Sequence, residues 1–233
     1  MCADALRRYS FARDVAAGLW HLHAERFVHR ALAARNLLLD MGAGFASGSP
    51  AMRVKIADFG MSRVVRDLSQ SLSSAEDRLV ALKWNAPEVM QHGAYSPASD
   101  MFSFGVVLFE IWTTREPYEG LDHDEAAQRV VTQGLRPSLE PPAHASTQDH
   151  SHASAAAAVA SSLPHASGAD SVAAPHALYA QVMRRCLGAD VAPESRITAQ
   201  KAYEELEKLL ALPRGDGAAG GSSASLCAGA ASP

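Results

Sequence analysis

From Ser96-Pro97 to Thr114 the sequence reads SPASDMFSFGVVLFEIWTT, apolar on nearly every side of a helix. Ser96 supplies an N-cap and Pro97 a first-turn residue with its φ already fixed for a helix. A helix apolar all round has no face to offer water, so it belongs inside a core and other elements must surround it. Ala5 to His23 is the first of these, with Phe11, Val15, Leu19 and Leu22 on one helical stripe and Arg7, Arg8, Arg13 and Asp14 elsewhere. Shorter helices are expected over His123–Thr132, Leu178–Leu187 and Thr198–Leu210. In the last, Tyr203, Leu206 and Leu209 share a face and Glu204 can pair with Lys208 at i,i+4. Two short β-prone pieces, Asn36–Asp40 and Arg53–Ala57, flank a Gly/Ser-rich loop at 42–50, and a long polar stretch then runs to Asn85. The expected class is mainly α (α+β), a helical bundle around a buried central helix with small β-hairpins.

With 233 residues, 48% of them hydrophobic, the chain can bury one full core. That domain is expected over 1–212, interrupted by disordered insertions at 42–50 and 141–175. The second insertion is mostly Ala, Ser, His and Pro, with few large apolar side chains to bury. The Gly/Ala/Ser-rich tail 213–233 is expected to be disordered. A formal net charge of -4 leaves no electrostatic footprint for nucleic acid, and no Lys/Arg block suggests a lipid surface. Three cysteines far apart, Cys2, Cys186 and Cys227, make neither a disulfide framework nor a metal spacing. The longest apolar stretch, around Phe104 to Trp112, is interrupted by Glu110 and too short to span a bilayer. A cytoplasmic setting follows as the expectation, with the intracellular part of a longer membrane protein as the alternative.

Phe27 to Asn36 reads FVHRALAARN, KIADFG ends at Gly60, and KWNAPE occupies Lys83 to Glu88. In that order they resemble the catalytic loop, the magnesium-binding motif and the end of the activation segment of the eukaryotic protein kinases. SDMFSFGVVLFEIWT from Ser99 and APESRITAQKAYEELEKLL from Ala192 resemble the family's central helix and its last two helices. The resemblance covers about Leu6 to Leu212 apart from the insertions, which is the carboxy-terminal lobe. Ala33-Ala34-Arg35-Asn36 and Lys83-Trp84 are similar to the tyrosine-kinase group, receptor-type in particular. Asn85 and Leu187 depart from that group's usual residues.

The resemblance implies roles residue by residue. Asp58 would hold a magnesium bridging ATP phosphates and Asn36 a second one. Leu38 would form the floor under the adenine, and Arg30, Arg35 and Pro87 would lie at the catalytic loop and the substrate side. His29 and Phe59 would belong to a hydrophobic spine beneath the site, with Gly60 completing the motif. Asp100 would accept backbone N–H bonds from the catalytic loop, and Glu88 with Arg196 would tie the activation segment to the last helices.

Where the family carries the aspartate that takes the hydroxyl proton, this chain has Ala31. A methyl group neither orients nor deprotonates a hydroxyl, and losing a general base costs about 10²–10⁴ in rate. The sequence also starts in the helix before the catalytic loop, without a Gly-rich phosphate loop or a β-strand lysine ahead of it. ATP and magnesium are therefore expected to bind very weakly or not at all. Two readings stay open: a pseudokinase that binds protein partners as a scaffold, and a fragment or incomplete gene model of an ATP-dependent protein tyrosine kinase. A decaying gene copy without a stable product is a third. Ser69, Ser71, Ser73 and Ser74 offer phosphorylation sites near Arg30, Arg63, Arg66 and Arg78, with a merely solvated loop as the simpler expectation. His144, His150, His152, His165 and His176 are too irregularly spaced to argue for a metal.

Overall fold

The computed structural model describes residues 3–41, 52–65, 82–139, 169–188 and 192–211. In chain order the elements are α1 (Ala3–Ala24), β1 (Phe27–Val28), β2 (Leu37–Asp40), β3 (Arg53–Ile56), β4 (Arg63–Val64), α2 (Pro87–His92), α3 (Pro97–Thr113), α4 (His123–Thr132), α5 (Ala169–Leu187) and α6 (Ala199–Ala211). Short 3-10 turns at Ala34–Asn36, Phe59–Met61, Leu82–Trp84 and Pro193–Ser195 link them.

The central helix α3 starts where its sequence dictates. Ser96 Oγ accepts the Ser99 N–H, Ser99 Oγ accepts the Ser96 N–H, and Pro97 occupies the first turn, a reciprocal cap that leaves few orphan donors. Every residue from Ser99 to Leu108 is buried, as an all-round apolar helix requires. Helix α5 crosses it at Gly105, where an added Cβ would stand 2.6 Å from Leu187 Cγ, so only glycine admits this approach. Tyr179 closes the contact by donating its hydroxyl to the Leu108 carbonyl at 2.8 Å.

Helix α1 packs on α6, α3 and β3. Its core face is Tyr9, Ala12, Val15, Ala16 and Leu19; Phe11 and Leu22 of the anticipated stripe are only half-buried. Small residues at 12 and 16 read weakly as core, yet they let neighbouring helices approach closely. Leu206 and Leu209 of α6 are buried with Ala202, while Tyr203 tilts against Trp20 at 5.6 Å instead of entering the core. Glu204 is hydrogen-bonded by Lys201 and Gln200 on the preceding turn, while the anticipated Lys208 acts on it through its charge.

Helix α5 begins at Ala169, nine residues ahead of the anticipated Leu178, so the end of the stretch assigned to a disordered insertion at 141–175 is helical. The loop 42–50, the remainder of that insertion and the tail 213–233 lie outside the described residues.

Both sheets are antiparallel pairs. Strands β2 and β3 form a hairpin with Leu37 opposite Ile56 and Asp40 opposite Arg53. Strands β1 and β4, two residues each, pair Phe27 with Val64 at the two ends of the segment that contains the hairpin, and were not evident from pattern. No helix among the described residues is long and apolar enough to cross a membrane.

Candidate functional site

The loop from His29 to Asn36 leaves β1 and is fixed from below by one side chain. Asp100, fully buried in the first turn of α3, accepts the His29 N–H at 2.8 Å on Oδ2 and the Arg30 N–H at 3.0 Å on Oδ1. His23, at the end of α1, places Nε2 3.0 Å from the same Oδ2. A carboxylate only accepts, so His23 Nε2 carries the hydrogen. Three donors thus converge on one buried acid, and they hold Arg30 at φ 72, a backbone angle that side chains rarely adopt.

Above this anchor His29 is buried and donates Nε2–H to the Ala57 carbonyl at 3.0 Å, which leaves Nδ1 an acceptor with no partner among the described residues. Phe59 meets the His29 ring edge-on at 5.4 Å and is 50% exposed. Asp58, exposed and at φ 64, precedes it in the turn, and Gly60 follows with its carbonyl accepting from Arg63. Arg30 is buried with its guanidinium 4.2 Å over the Tyr95 ring; Nη1 reaches the Met61 carbonyl at 3.4 Å, while Nε and Nη2 have no partner among the described residues.

Ala31 is buried, and its carbonyl accepts Asn36 Nδ2–H at 2.7 Å. That bond fixes the amide, and the Ala57 N–H on the Asn36 carbonyl at 2.9 Å ties it to the segment carrying Asp58. The donor set is one carboxylate and one amide oxygen, with no cluster of three His, Cys, Asp or Glu among the described residues. Such a pair suits a magnesium that arrives with phosphate oxygens and keeps its waters, not a cation caged by protein alone. Leu38 sits beyond on β2, 59% exposed.

A second tie was not anticipated. Glu110 Oε2 accepts the Ala34 N–H at 3.0 Å and the Trp84 indole N–H at 2.8 Å, and Arg35 stacks 4.4 Å over the Trp84 ring. Burial pushes the Glu110 carboxyl up, against hydrogen bonds from Trp84 and Ala34 that pull it down. The signal was available: Glu110 is the lone charge in an otherwise apolar run from Met101 to Trp112. Beside it Lys83 is buried and bonds Glu116 at 3.0 Å, and Ser103 donates to the Trp84 carbonyl at 2.8 Å.

Glu88 in α2 and Arg196 before α6 form a two-pronged pair, Nη2 to Oε2 being 2.9 Å, and Arg196 Nη1 also donates to the Ala98 carbonyl at 3.0 Å. Pro87 opens α2, half-buried. His23, bonded to Asp100, and Tyr95, beneath the Arg30 guanidinium, were not singled out from sequence. Ser69, Ser71, Ser73, Ser74, Arg66, Arg78 and the side chains of the five insertion histidines lie outside the described residues. Cys186 is buried in the core, where desolvation pushes its thiol up and makes it an unreactive packing residue.

A buried acid beneath a loop, an asparagine and an aspartate across a two-stranded hairpin, and an acid–arginine tie to the last helix together form one constellation. Known proteins share its sequence. The human tyrosine-protein kinase Srms is 40% identical over 122 residues, 52% of this chain and 23% of that protein. The insulin-like receptor of Drosophila melanogaster is 38% identical over 130 residues, 55% of this chain and 6% of the receptor. A probable serine/threonine-protein kinase of Dictyostelium discoideum is 34% identical over 136 residues, 58% of this chain and 9% of the kinase. The chain thus spans less than a quarter of the length of these relatives. Residues 3–158, well over half the chain, match the protein tyrosine and serine/threonine kinase family, and the chain belongs to that family.

Proposed function

We propose that this chain is a pseudokinase lobe that works by binding other proteins in tyrosine-type signalling, in a cytoplasmic setting. The observation that carries the reading is Ala31. The loop around it keeps its anchors, Asp100 below and Asn36 alongside, while the position the family uses for a proton-accepting carboxylate holds a methyl group. General-base loss removes about 10²–10⁴ in rate, roughly 3–5 kcal/mol of barrier. The exposed Leu38, Leu39 and Met41 along β2, with Phe59, offer apolar surface of the kind that protein partners cover. Arg35 stacked on Trp84, in the Ala33-Ala34-Arg35-Asn36 and Lys83-Trp84 context, supports a tyrosine-bearing peptide as the kind of segment engaged.

A second reading has its own support, since Asp58 and Asn36 are both present: a portion of an ATP-dependent protein tyrosine kinase. One assay separates the two. The protein encoded by the complete native transcript is incubated with ATP, magnesium and a tyrosine peptide, alongside its Asp58→Ala and Ala31→Asp variants. The pseudokinase reading expects no transfer above the Asp58→Ala background, with transfer appearing only in Ala31→Asp. Strong phosphorylation by the unaltered protein that disappears in Asp58→Ala would overturn it.

A further inference from the structure

After Leu108 the residues of α3 are only half-buried, and at this end of the helix one side chain joins two segments far apart in sequence. Glu110 Oε2 accepts the Ala34 N–H at 3.0 Å and the Trp84 indole N–H at 2.8 Å. Ala34 opens the short turn that carries Arg35 and Asn36, and Trp84 closes the turn that leads toward α2. Trp84 is held at two points, because Ser103 on the same helix donates to its carbonyl at 2.8 Å. Neither its backbone nor its ring can turn without breaking a bond to α3. Arg35, exposed to solvent, lies 4.4 Å over that fixed ring.

Two donors that need an acceptor would be served equally well by glutamine. Oε2 takes both bonds, so a neutral amide oxygen in its place would satisfy Ala34 and Trp84. Burial moreover disfavours the charge and pushes the carboxyl up. What the charge adds is attraction for Arg35, opposed only in part by Glu116, which is itself bonded to Lys83. An indole N–H bonded to a carboxylate is also polarised, which enriches the ring face in electron density and strengthens its hold on a cation.

Taking this face as the one that engages a tyrosine-bearing peptide, we infer that Glu110 is its positioning residue: by gripping the Trp84 ring it keeps the exposed Arg35 guanidinium placed for the peptide. Glu110 acts through Trp84 and Arg35 and not by contact with the peptide. An arginine already in place avoids the entropy of immobilisation, which for a free side chain lowers affinity about two- to ten-fold.

The test uses the full chain, heteronuclear NMR of the arginine Nε–H signals, and fluorescence anisotropy with a labelled peptide pool degenerate around a fixed tyrosine. In the unaltered protein the Arg35 signal, identified by its loss in Arg35→Lys, carries the ring-current shift of Trp84. Glu110→Leu should move that signal toward the position of a free arginine and weaken binding of the pool about three- to ten-fold. Glu110→Gln, which keeps the acceptor, should recover most of both effects. The double variant Glu110→Leu with Arg35→Ala should bind no more weakly than Arg35→Ala alone, since the two residues act in series. Gly105→Ala, which strains the contact of α3 with α5 instead, should alter neither readout. If Glu110→Leu does not fold, Trp84→Phe, which leaves a ring beneath Arg35 but no N–H for Glu110, should weaken the pool to the same extent. An Arg35 signal that stays in place in folded Glu110→Leu, or additive losses in the double variant, would overturn the assignment. Failure of the pool to bind the unaltered protein, with the Arg35 signal moving as expected, would sink the peptide reading and leave Glu110 as the residue that places Arg35.

Discussion

Replacing Asp100 by asparagine tests whether one buried acid sets the loop. The carboxylate gives Oδ1 to Arg30 N–H alone and Oδ2 to both His29 N–H and His23 Nε2–H. An asparagine keeps one oxygen and turns the other position into a donor. With the oxygen at the Oδ2 place it keeps two bonds and sets its NH₂ against the Arg30 N–H; reversed, it keeps one and sets it against two donors. The first orientation wins. The cost is one lost bond to a charged acceptor, a stranded buried N–H and weakening of the two bonds that remain, in sum about 2–4 kcal/mol. Asp100→Ala strands all three donors and is expected to cost more than Asp100→Asn, enough to unfold a domain with an ordinary stability of about 5–15 kcal/mol or leave it marginal. Urea titration gives the stability change, and amide exchange shows where it acts: the Arg30 N–H should lose protection in Asp100→Asn while the His29 N–H keeps it. A cost below about 1 kcal/mol, or equal loss of protection at both amides, would refute the reasoning.

Three more perturbations bear on the same framework. Glu88→Ala leaves the buried Arg196 guanidinium uncompensated and should cost about 3–5 kcal/mol, whereas the double change Glu88→Leu with Arg196→Met should be close to neutral; paired urea midpoints decide. Gly105→Ala gains about 1 kcal/mol of helix propensity but drives a Cβ to 2.8 Å from Cys186 Cβ and closer still to Leu187, so the net effect should be a destabilisation of about 1–3 kcal/mol, read as a lower Tm. Burial raises the Glu110 carboxyl above its ordinary value of 4.5, so the folded state holds that proton longer than the unfolded one. Its contribution to stability is therefore largest at acid pH and falls as pH rises from the ordinary value through the raised one. Glu110→Gln keeps an oxygen for Ala34 and Trp84 and should flatten that fall, seen as urea midpoints that decline less than those of the unaltered protein between pH 4.5 and neutrality.

Elements whose information is local were legible in the sequence. The cap and the largely apolar run fixed α3 within a residue of its observed bounds, and the helix anticipated over His123–Thr132 has those bounds. The hairpin followed from two short β-prone runs flanking a turn-rich segment. Motif order placed His29, Asn36, Asp58, Glu88, Asp100 and Arg196 in one family, because each role there depends on residue type at a fixed position along the chain.

What depended on partners distant in sequence needed the tertiary structure. Helix α1 buries Val15 and Leu19 of its apolar stripe, but Tyr9, Ala12 and Ala16 complete the core face while Phe11 and Leu22 stay half-buried, because burial is decided by the elements packed against the helix as well as by its own pattern. Two residues each of β1 and β4 carry no periodicity, and their pairing closes over both the loop anchored on Asp100 and the β2–β3 hairpin. The double role of Glu110, the positive φ of Arg30 and the two-pronged pair of Glu88 with Arg196 arise where segments 70 to 108 residues apart meet. Sequence determined which side chains can bury or carry charge. Packing decided which of them meet, since that choice is made by the neighbours that exclude water from each one.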